Sequence, residues 1–284
     1  MIKKAVLLCG GLATRMLPIT KSIPKEMLPL LTRPAIDYCL QDLKDNGITD
    51  VLIVIGRNKE SLENYFDRNI ELEDRLLITQ KEKELNLINS IYKDMNIYFV
   101  RQIEAKGTGY ATNLARNFVG NCSFILLYPD DLIIGDSFSK QLINEYKKTK
   151  TNIIPIKKIN INDCHKYGMV GVEKNIDKIK ITKFIEKPSI ENTPSNICYT
   201  GSGIFTSEIF NYLPYLPLHS NGEQLLTDIF QHLIKKDHLY GVYINGTRLD
   251  IGSPIGYLKG NILMGLQNPE IKDDLLNFIK ELNL

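Results

Sequence analysis

The stretch Ala5-Val6-Leu7-Leu8-Cys9-Gly10-Gly11-Leu12-Ala13-Thr14-Arg15 decides the fold class that this chain predicts. Its apolar first part is typical of a strand buried on both faces of a parallel sheet. The two glycines that follow let backbone N–H groups approach a phosphate, and Arg15 adds a cation suited to bidentate binding. The spacing matches neither a Walker A loop nor G-x-G-x-x-G, so an ordinary tight turn is the alternative interpretation.

Further apolar runs indicate three more strands, at residues 51–55, 97–100 and 123–128. Helical patterns lie between the runs, at residues 35–46, 59–66, 70–94 and 109–118, and Gly47 is placed to end the first of these helices. Strands that alternate with helices predict an α/β fold with a Rossmann-like, doubly wound sheet. In such a sheet, ligands bind at the carboxyl ends of the strands.

The pattern changes after about residue 150. Residues 170–172, 179–186 and 197–205 read as strands without a full helix between the first two, which predicts antiparallel additions and therefore a mixed sheet. Helical patterns return at 222–236, 254–266 and 269–282, and a hairpin is expected for strands 242–244 and 247–251 around Asn245-Gly246. We expect a single domain over 1–284, with halves of about 1–150 and 151–268 and a C-terminal helix at 269–284.

Composition excludes several classes of protein. The 35 basic and 33 acidic residues give a net charge of only +2, which disfavours a nucleic-acid binder. No stretch approaches the roughly 20 apolar residues of a membrane span, and the short N-terminal apolar run fits a buried strand better than a signal peptide. The five cysteines are scattered without a C-x-x-C, so we expect no disulfide framework, no zinc site and a cytoplasmic location.

Charged residues gather at the predicted ligand edge of the sheet. Lys21 and Lys25 lie on a proline-rich loop beside the glycine turn, where together with Arg15 they suit a polyphosphate. Asp130 follows the fourth strand, and a carboxylate beside phosphates is a common way to hold Mg²⁺. Asp250 also ends an apolar strand and is the candidate for a second ligand. For either aspartate, capping a turn or a helix is the structural alternative.

Short motifs in co-linear order over roughly residues 3–265 support a family resemblance. They include residues 10–15, 20–29, 56–59, 101–102, 106–107, 129–131, 167–168, 186–188, 222–223, 226–228 and 250–252. On these motifs the chain resembles the bacterial UTP–glucose-1-phosphate uridylyltransferases of the sugar-phosphate nucleotidyltransferase superfamily. The resemblance implies Mg²⁺-dependent uridylyl transfer from UTP to glucose 1-phosphate. The first half would bind the nucleotide and the second half the sugar phosphate.

The resemblance also implies roles for individual residues. Catalytic roles fall on Arg15, Lys25, Asp130 and Lys187, of which Arg15 and Lys25 would bind the triphosphate and Lys187 the sugar phosphate. Asp130 and Asp250 would hold Mg²⁺. Gln102 would read the uracil edge, with Gly107 near the base, and Glu186 would bind sugar hydroxyls. The remaining substrate-binding positions implied are Gly10, Gly11, Leu12, Glu26, Gly168 and Gly201.

The chain departs from the family pattern at two positions. Ala13 stands where the family loop carries glycine, and a methyl group there costs on the order of 1 kcal/mol if the position needs positive φ. Ser202 lies in a segment where similar proteins have Gly-Arg-Tyr, so contacts to the sugar differ. The rival functions are a thymidylyl- or guanylyltransferase for another hexose 1-phosphate, and a catalytically silent nucleotide-sugar sensor. We also expect a homo-oligomer, a dimer or tetramer.

Overall fold

The computed structural model of the chain describes residues 1–90, 94–175 and 177–282. In chain order its strands are β1 (Lys4–Cys9), β2 (Pro29–Leu30), β3 (Arg33–Pro34), β4 (Asp50–Ile55), β5 (Asn96–Arg101), β6 (Phe124–Leu127), β7 (Asp131–Ile134), β8 (Asn152–Lys158), β9 (Gly168–Asn175), β10 (Lys178–Glu186), β11 (Ile197–Tyr199), β12 (Gly203–Phe205), β13 (Leu239–Tyr243) and β14 (Thr247–Asp250).

The helices alternate with the strands in the first half and flank the sheet in the second. They are α1 (Ala35–Asp45), α2 (Glu60–Phe66), α3 (Ile70–Ile78), α4 (Glu82–Asn89), α5 (Gly107–Asn113), α6 (Arg116–Val119), α7 (Phe138–Thr149), α8 (Phe230–Lys235), α9 (Pro254–Gln267) and α10 (Lys272–Glu281). Gly47 adopts a φ of +77° just beyond α1, as predicted for a glycine that ends a helix.

A ten-stranded mixed sheet contains strands from both halves of the chain. Its order is β11-β9-β10-β13-β8-β12-β6-β1-β4-β5, in which β6, β1, β4 and β5 are parallel to one another. The strand β12 is antiparallel to both β6 and β8, and β9, β10 and β11 are also joined by antiparallel pairings. The predicted mixed α/β sheet with antiparallel additions is therefore confirmed.

Alternate residues of β1 enter two separate cores. Ala5, Leu7 and Cys9 pack with one helical layer, whereas Val6 and Leu8 pack with the other. All five are buried, which explains the continuous apolar run because neither face of this strand meets water. Because β1, β4, β5 and β6 run parallel, their carboxyl ends lie at one edge of the sheet, where the loops that follow them meet.

The predicted hairpin around Asn245-Gly246 is wrong. β13 pairs with β8 and β10 in the large sheet, whereas β14 pairs with β7 in a separate two-stranded sheet. The Asn-Gly segment therefore carries the chain from one sheet to another. Its turn chemistry suits a tight hairpin, but long-range pairing partners outweigh that local preference. The strands β7 and β8 were also absent from the predicted set.

Several predicted elements are interrupted. The single helix expected at 70–94 is two helices, α3 and α4, and the part of that prediction at residues 91–93 lies outside the described residues. The helix expected at 109–118 is also divided, into α5 and α6. The strand expected at 197–205 is broken between β11 and β12, where Gly201 and Ser202 have φ values of +87° and +65°. Of the helix expected at 222–236, only residues 226–235 are helical.

The C-terminal helix α10 packs against α9 of its own chain. A Cβ atom on Gly265 of α9 would lie only 2.6 Å from Leu275 Cδ2, so a glycine is needed for this close approach. Phe278 remains 57% exposed on the same helix. Within the described residues, we find no helix of the length and apolar character needed to cross a membrane.

Candidate active site

A cavity of about 350 Å³, the first cavity, opens at the carboxyl ends of β1, β4 and β5. Its walls come from the loops that follow these strands and from the proline-rich loop. The lining residues are Gly10, Gly11, Leu12, Ala13, Thr14, Leu17, Thr20, Lys21, Pro24, Lys25, Gly56, Arg57, Asn58, Lys59, Gln102, Ile103 and Ala105. The glycine turn and the two predicted phosphate-binding lysines therefore lie in one cavity.

Gln102 is packed against the glycine turn at the base of this cavity. Its Nε2 donates to the Gly10 carbonyl oxygen at 3.0 Å, while its buried Oε1 has no partner among the described residues. A Cβ atom on Gly10 would lie 1.9 Å from Gln102 Nε2, so a larger residue there would displace this amide. An unpaired buried acceptor is costly, which makes Gln102 Oε1 a candidate to bind a ligand N–H group.

Ala13 adopts the left-handed conformation that its family glycine accommodates freely. Its φ and ψ are 52° and 41°, at the start of a short 3-10 helix formed by Thr14–Met16. The Ala13 carbonyl oxygen accepts a hydrogen bond from Thr20 Oγ1 at 2.9 Å, which helps to hold the strained turn. The chain therefore holds Ala13 in a conformation that favours glycine.

Lys25 lies where the first cavity meets a second one. Its Nζ is 2.6 Å from Asp130 Oδ2, and both side chains are largely buried. Burial alone would lower the pKa of the Lys25 ammonium, but the negative charges of Asp130 and Glu26 outweigh it and raise the pKa. Lys25 is therefore a permanent cation at the junction of the two cavities.

Asp130 and Asp250 converge in the structure. Asp130 follows β6 and Asp250 is the last residue of β14, and 119 residues separate these two strands in the chain. A methyl group on Gly252 would lie 2.7 Å from Asp130 Oδ2 and 3.2 Å from Asp250 Oδ1. Asp250 also accepts two hydrogen bonds from Arg15, at 2.9 and 3.3 Å. The antiparallel pairing of β7 with β14 places Asp131 opposite Asp250 and so aligns the two segments.

The second cavity, of about 370 Å³, lies on the other side of Lys25. Its walls come from β9, β10 and the loop between β11 and β12, together with the aspartates. The lining residues are Arg15, Lys25, Thr108, Tyr128, Asp130, Asp131, Lys166, Tyr167, Gly168, Glu186, Tyr199, Thr200, Gly201, Leu225, Thr227, Arg248 and Asp250. Burial raises the pKa of the Glu186 carboxyl, and the nearby Lys187 ammonium partly offsets this effect.

A partly buried ion pair in the second cavity was not predicted from the sequence. Arg248 Nε and Nη2 donate to the two carboxylate oxygens of Asp131 at 2.7 and 2.6 Å, and Nη2 also reaches the Thr200 carbonyl oxygen at 3.2 Å. This pair joins β14, β7 and the loop after β11. The alternation of Arg248 with Asp250 on one strand was the available signal, since residues two apart share a face.

Ser202 has a structural role at the second departure from the family pattern. It is 3% exposed, its Oγ accepts a hydrogen bond from the Tyr128 backbone N–H at 3.2 Å, and its carbonyl oxygen accepts one from Tyr199 Oη at 2.9 Å. Its small side chain thus supports the loop that carries Gly201. The second cavity is built without an arginine or tyrosine at this position.

Three predicted site residues lie elsewhere. Glu26 is fully buried, and within the described chain it lines neither cavity. Gly107 contacts the backbone of Gln224, since a Cβ atom on it would lie 2.6 Å from the Gln224 carbonyl oxygen. Lys187 has a φ of +44° and its backbone N–H donates to the Tyr167 carbonyl oxygen at 3.0 Å, beside the second cavity rather than in its wall. Their implied roles stay predictions.

The donor set fits a hard divalent cation only in part. Two carboxylates at one point supply oxygen ligands of the kind that Mg²⁺ prefers, and Mg²⁺ is commonly held by one or two carboxylates plus substrate phosphates. In the described part of the chain, no three His, Cys, Asp or Glu side chains converge on a common metal position. The arrangement therefore fits a cation shared with a phosphate ligand better than a metal enclosed by protein.

The cavities match the class of enzymes that transfer nucleotidyl groups. The model of the nucleotidyl transferase family matches residues 4–264, and the chain belongs to this family. A UTP–glucose-1-phosphate uridylyltransferase 1 from Staphylococcus saprophyticus is 38% identical over 287 residues, covering 99% of each chain. A UTP–glucose-1-phosphate uridylyltransferase from Staphylococcus haemolyticus is also 38% identical, over 99% of this chain and 98% of the relative. Within the family the chain belongs with these uridylyltransferases, which confirms the resemblance.

Solved structures agree with this placement. A UTP-bound UGPase from Acinetobacter baumannii has a TM-score of 0.91 and 34% identity, over 99% of this chain and 100% of that chain. A UDP-glucose pyrophosphorylase complexed with UDP-glucose has a TM-score of 0.85 and 34% identity, over 94% of this chain and 100% of that chain. Both similarities extend over more than nine-tenths of this chain.

Proposed function

We propose that the protein transfers a uridylyl group from UTP to α-D-glucose 1-phosphate, releasing pyrophosphate, with Mg²⁺ as cofactor. The observation that carries this proposal is the position of Lys25, which lines both cavities beside Asp130. A reaction that joins a nucleotide to a sugar phosphate needs two adjoining compartments with cationic charge at their junction. The names of the relatives supply the two substrates.

The first cavity suits the nucleotide. Backbone N–H groups of the glycine turn are available to phosphate oxygens, and Lys21 and Lys25 add positive charge. The free acceptor Gln102 Oε1 suits the N3–H of uracil, and an amide that already donates to the Gly10 carbonyl oxygen has a fixed orientation. Cytosine carries no proton on N3, so this contact would favour UTP.

The second cavity suits the sugar phosphate. Glu186 offers carboxylate oxygens to sugar hydroxyls, and the backbone of Gly168 and Gly201 lines the same cavity. The acceptor phosphate is already an anion at neutral pH, so no general base is needed. The residues at the junction, Arg15 and Lys25, would hold the phosphates so that the acceptor oxygen lies in line with the α-phosphorus as pyrophosphate leaves.

Asp130 and Asp250 are the residues that would hold Mg²⁺. When bound there, the cation neutralises charge on the phosphates. In the structure each aspartate is paired with a cation of the site, Lys25 or Arg15. These ion pairs hold the two carboxylates at the junction, which supports the assignment.

A pyrophosphate-release assay over a panel of nucleotides and sugar phosphates tests the proposal. We expect turnover with UTP and glucose 1-phosphate that requires a divalent cation and stops with EDTA. A thymidylyl- or guanylyltransferase would prefer dTTP or GTP. A silent sensor would bind UDP-glucose without releasing pyrophosphate from any pair.

We further propose a homo-oligomer, a dimer or tetramer. The exposed apolar side chains of α10, Phe278 and Ile279, are 57% and 36% exposed and suit burial against another chain. Sedimentation of the wild type and of the variant Phe278→Lys tests this. A monomeric wild type would contradict it.

A further inference from the structure

A buried ion pair beneath the first cavity has no role in the function proposed above. Lys59 Nζ lies 2.8 Å from Glu26 Oε2, and the two side chains are 7% and 0% exposed. Glu26 follows Lys25 on the proline-rich loop, whereas Lys59 follows β4 just before α2 begins. The pair therefore connects two segments that both contribute residues to the lining of the cavity.

The two members of the pair differ in their access to the cavity. Lys59 lines the first cavity but not the second, and Glu26 lies behind it. Among the described residues the Lys59 ammonium has one hydrogen-bond acceptor, Glu26 Oε2, and an ammonium has three N–H donors. At least one donor of a nearly buried cation is therefore available to whatever fills the cavity.

The charge of the pair indicates which part of a nucleotide it would meet. Lys59 and Glu26 together are neutral, and Lys59 lies in the compartment of Gln102 and away from the aspartates. A neutral pair with spare N–H donors suits an uncharged acceptor, such as a uracil carbonyl oxygen or a ribose hydroxyl. The triphosphate would instead be attracted to Lys25 and Arg15 at the junction.

We propose that Lys59 is a further substrate-binding residue that donates to the nucleoside part of UTP, and that Glu26 is the positioning residue that fixes it there. This inference rests on the proposed function, because it assumes that the first cavity takes UTP. It also gives Glu26 a different role from direct substrate contact. Since Lys59 would otherwise be a long flexible side chain, the buried carboxylate restricts it to one orientation before the ligand arrives.

Calorimetric titration of the full-length protein with UTP, UMP and pyrophosphate tests the proposal. For Lys59→Met we expect the Kd of UTP and of UMP to rise by a similar factor, about fivefold or more. The Kd of pyrophosphate should stay within about twofold, because it lacks the nucleoside. Equal weakening of pyrophosphate binding, or an unchanged Kd for UMP, would overturn the assignment of Lys59.

The double variant Glu26→Gln/Lys59→Met tests whether Glu26 acts through Lys59, because Glu26→Gln alone would leave the Lys59 ammonium buried without its ion-pair partner. It removes both charges, so no buried charge stays unpaired. We expect it to bind UMP no more weakly than Lys59→Met, whereas a further loss would show that Glu26 contributes in another way. Asp37→Asn is the matched control, since Asp37 is a 1% exposed carboxylate paired with Arg33 outside both cavities, and its Kd values should equal those of the wild type.

The same titrations separate this inference from the proposed function. If the wild type binds neither UTP nor UMP, the proposed function fails. If the wild type binds both and Lys59→Met binds them equally well, only the assignment of Lys59 is wrong.

Discussion

The two cavities are built by different means. The first lies at the carboxyl ends of the parallel strands β1, β4 and β5, and its walls are the loops that directly follow them. The second is assembled from antiparallel strands and from the small sheet of β7 and β14. The first cavity therefore depends on short local segments, whereas the second depends on pairing between residues far apart in the chain.

The two cavities also differ in the charges of their lining residues. In the second cavity Lys25, Arg15 and Arg248 each pair with a carboxylate, Asp130, Asp250 and Asp131 respectively. Besides the glycine backbone and the Gln102 amide, the described residues lining the first cavity include no carboxylate but four cations, Lys21, Lys25, Arg57 and Lys59. This difference indicates that the first cavity suits an anionic ligand, which the Gln102 amide can bind by hydrogen bonds, while the second pairs its cations with carboxylates around the reacting phosphates.

Removing an aspartate should have the largest effect on the second cavity. We expect Asp130→Ala and Asp250→Ala each to lower kcat roughly a hundred- to thousandfold, because several kcal/mol of charge stabilisation is lost. Steady-state rates with varied Mg²⁺, together with circular dichroism to verify folding, provide the measurement. Near-normal activity of both variants in the presence of EDTA would contradict the proposed cation site.

Breaking the partly buried Arg248–Asp131 pair of the second cavity should lower the stability of the protein. Arg248→Met leaves the Asp131 carboxylate without a partner, and the Asp131 side chain is only 15% exposed. We therefore expect a loss of about 2–3 kcal/mol in the free energy of unfolding. Lys106→Met is the control, because Lys106 and Glu104 are 45% and 62% exposed in their ion pair and its loss should destabilise the protein much less. Urea denaturation of both variants measures whether the Arg248–Asp131 pair contributes more to the free energy of unfolding than the exposed pair does.

Replacing Lys187 tests whether a residue beside the second cavity contributes to binding the sugar phosphate. If its ammonium binds the sugar phosphate, Lys187→Ala should raise KM for glucose 1-phosphate about tenfold and lower kcat, with KM for UTP changed much less. Kinetics with each substrate varied in turn provide the measurement. An unchanged KM for both substrates would make Lys187 an exposed lysine at the end of β10.

Gln102 tests whether hydrogen bonds select the ligand of the first cavity. Because thymine presents the same edge as uracil, we expect UTP to be used best, dTTP less well, and ATP, CTP and GTP poorly. Gln102→Ala should narrow the preference for UTP over CTP by about fivefold, roughly the worth of one hydrogen bond. Competition assays with the five nucleotides measure the ranking. A ranking identical to that of the wild type would exclude base reading by this residue.

Ala13 should give the smallest effect, since it concerns only the conformation of the glycine turn. Ala13→Gly removes a methyl group from a residue with a φ of 52°, but the freer unfolded chain offsets part of the gain. We expect the free energy of unfolding to rise by at most about 1 kcal/mol, measured by urea denaturation. A clear loss of stability would show that the alanine methyl group contributes packing.

Local patterns accounted for the first cavity better than for the second. The apolar run of β1, the glycine turn and Lys25 are contiguous, so the phosphate-binding interpretation needed only the rule that ligands bind at strand ends. Asp130 and Asp250 were each recognised at a strand end. Arg248 and Asp131 were not recognised as a pair, because nothing local relates two residues 117 positions apart. The hairpin prediction failed for the same reason.

The sequence by itself determined the α/β class, the family and the elements of the first cavity, because these depend on periodicity and on motifs within a few residues. Only the tertiary structure decided which charges meet. It paired Arg15 with Asp250, turned Glu26 inward to Lys59, and moved β14 from the expected hairpin to β7. Such contacts are set by packing and by the burial of charge across the whole chain, which a local pattern does not contain.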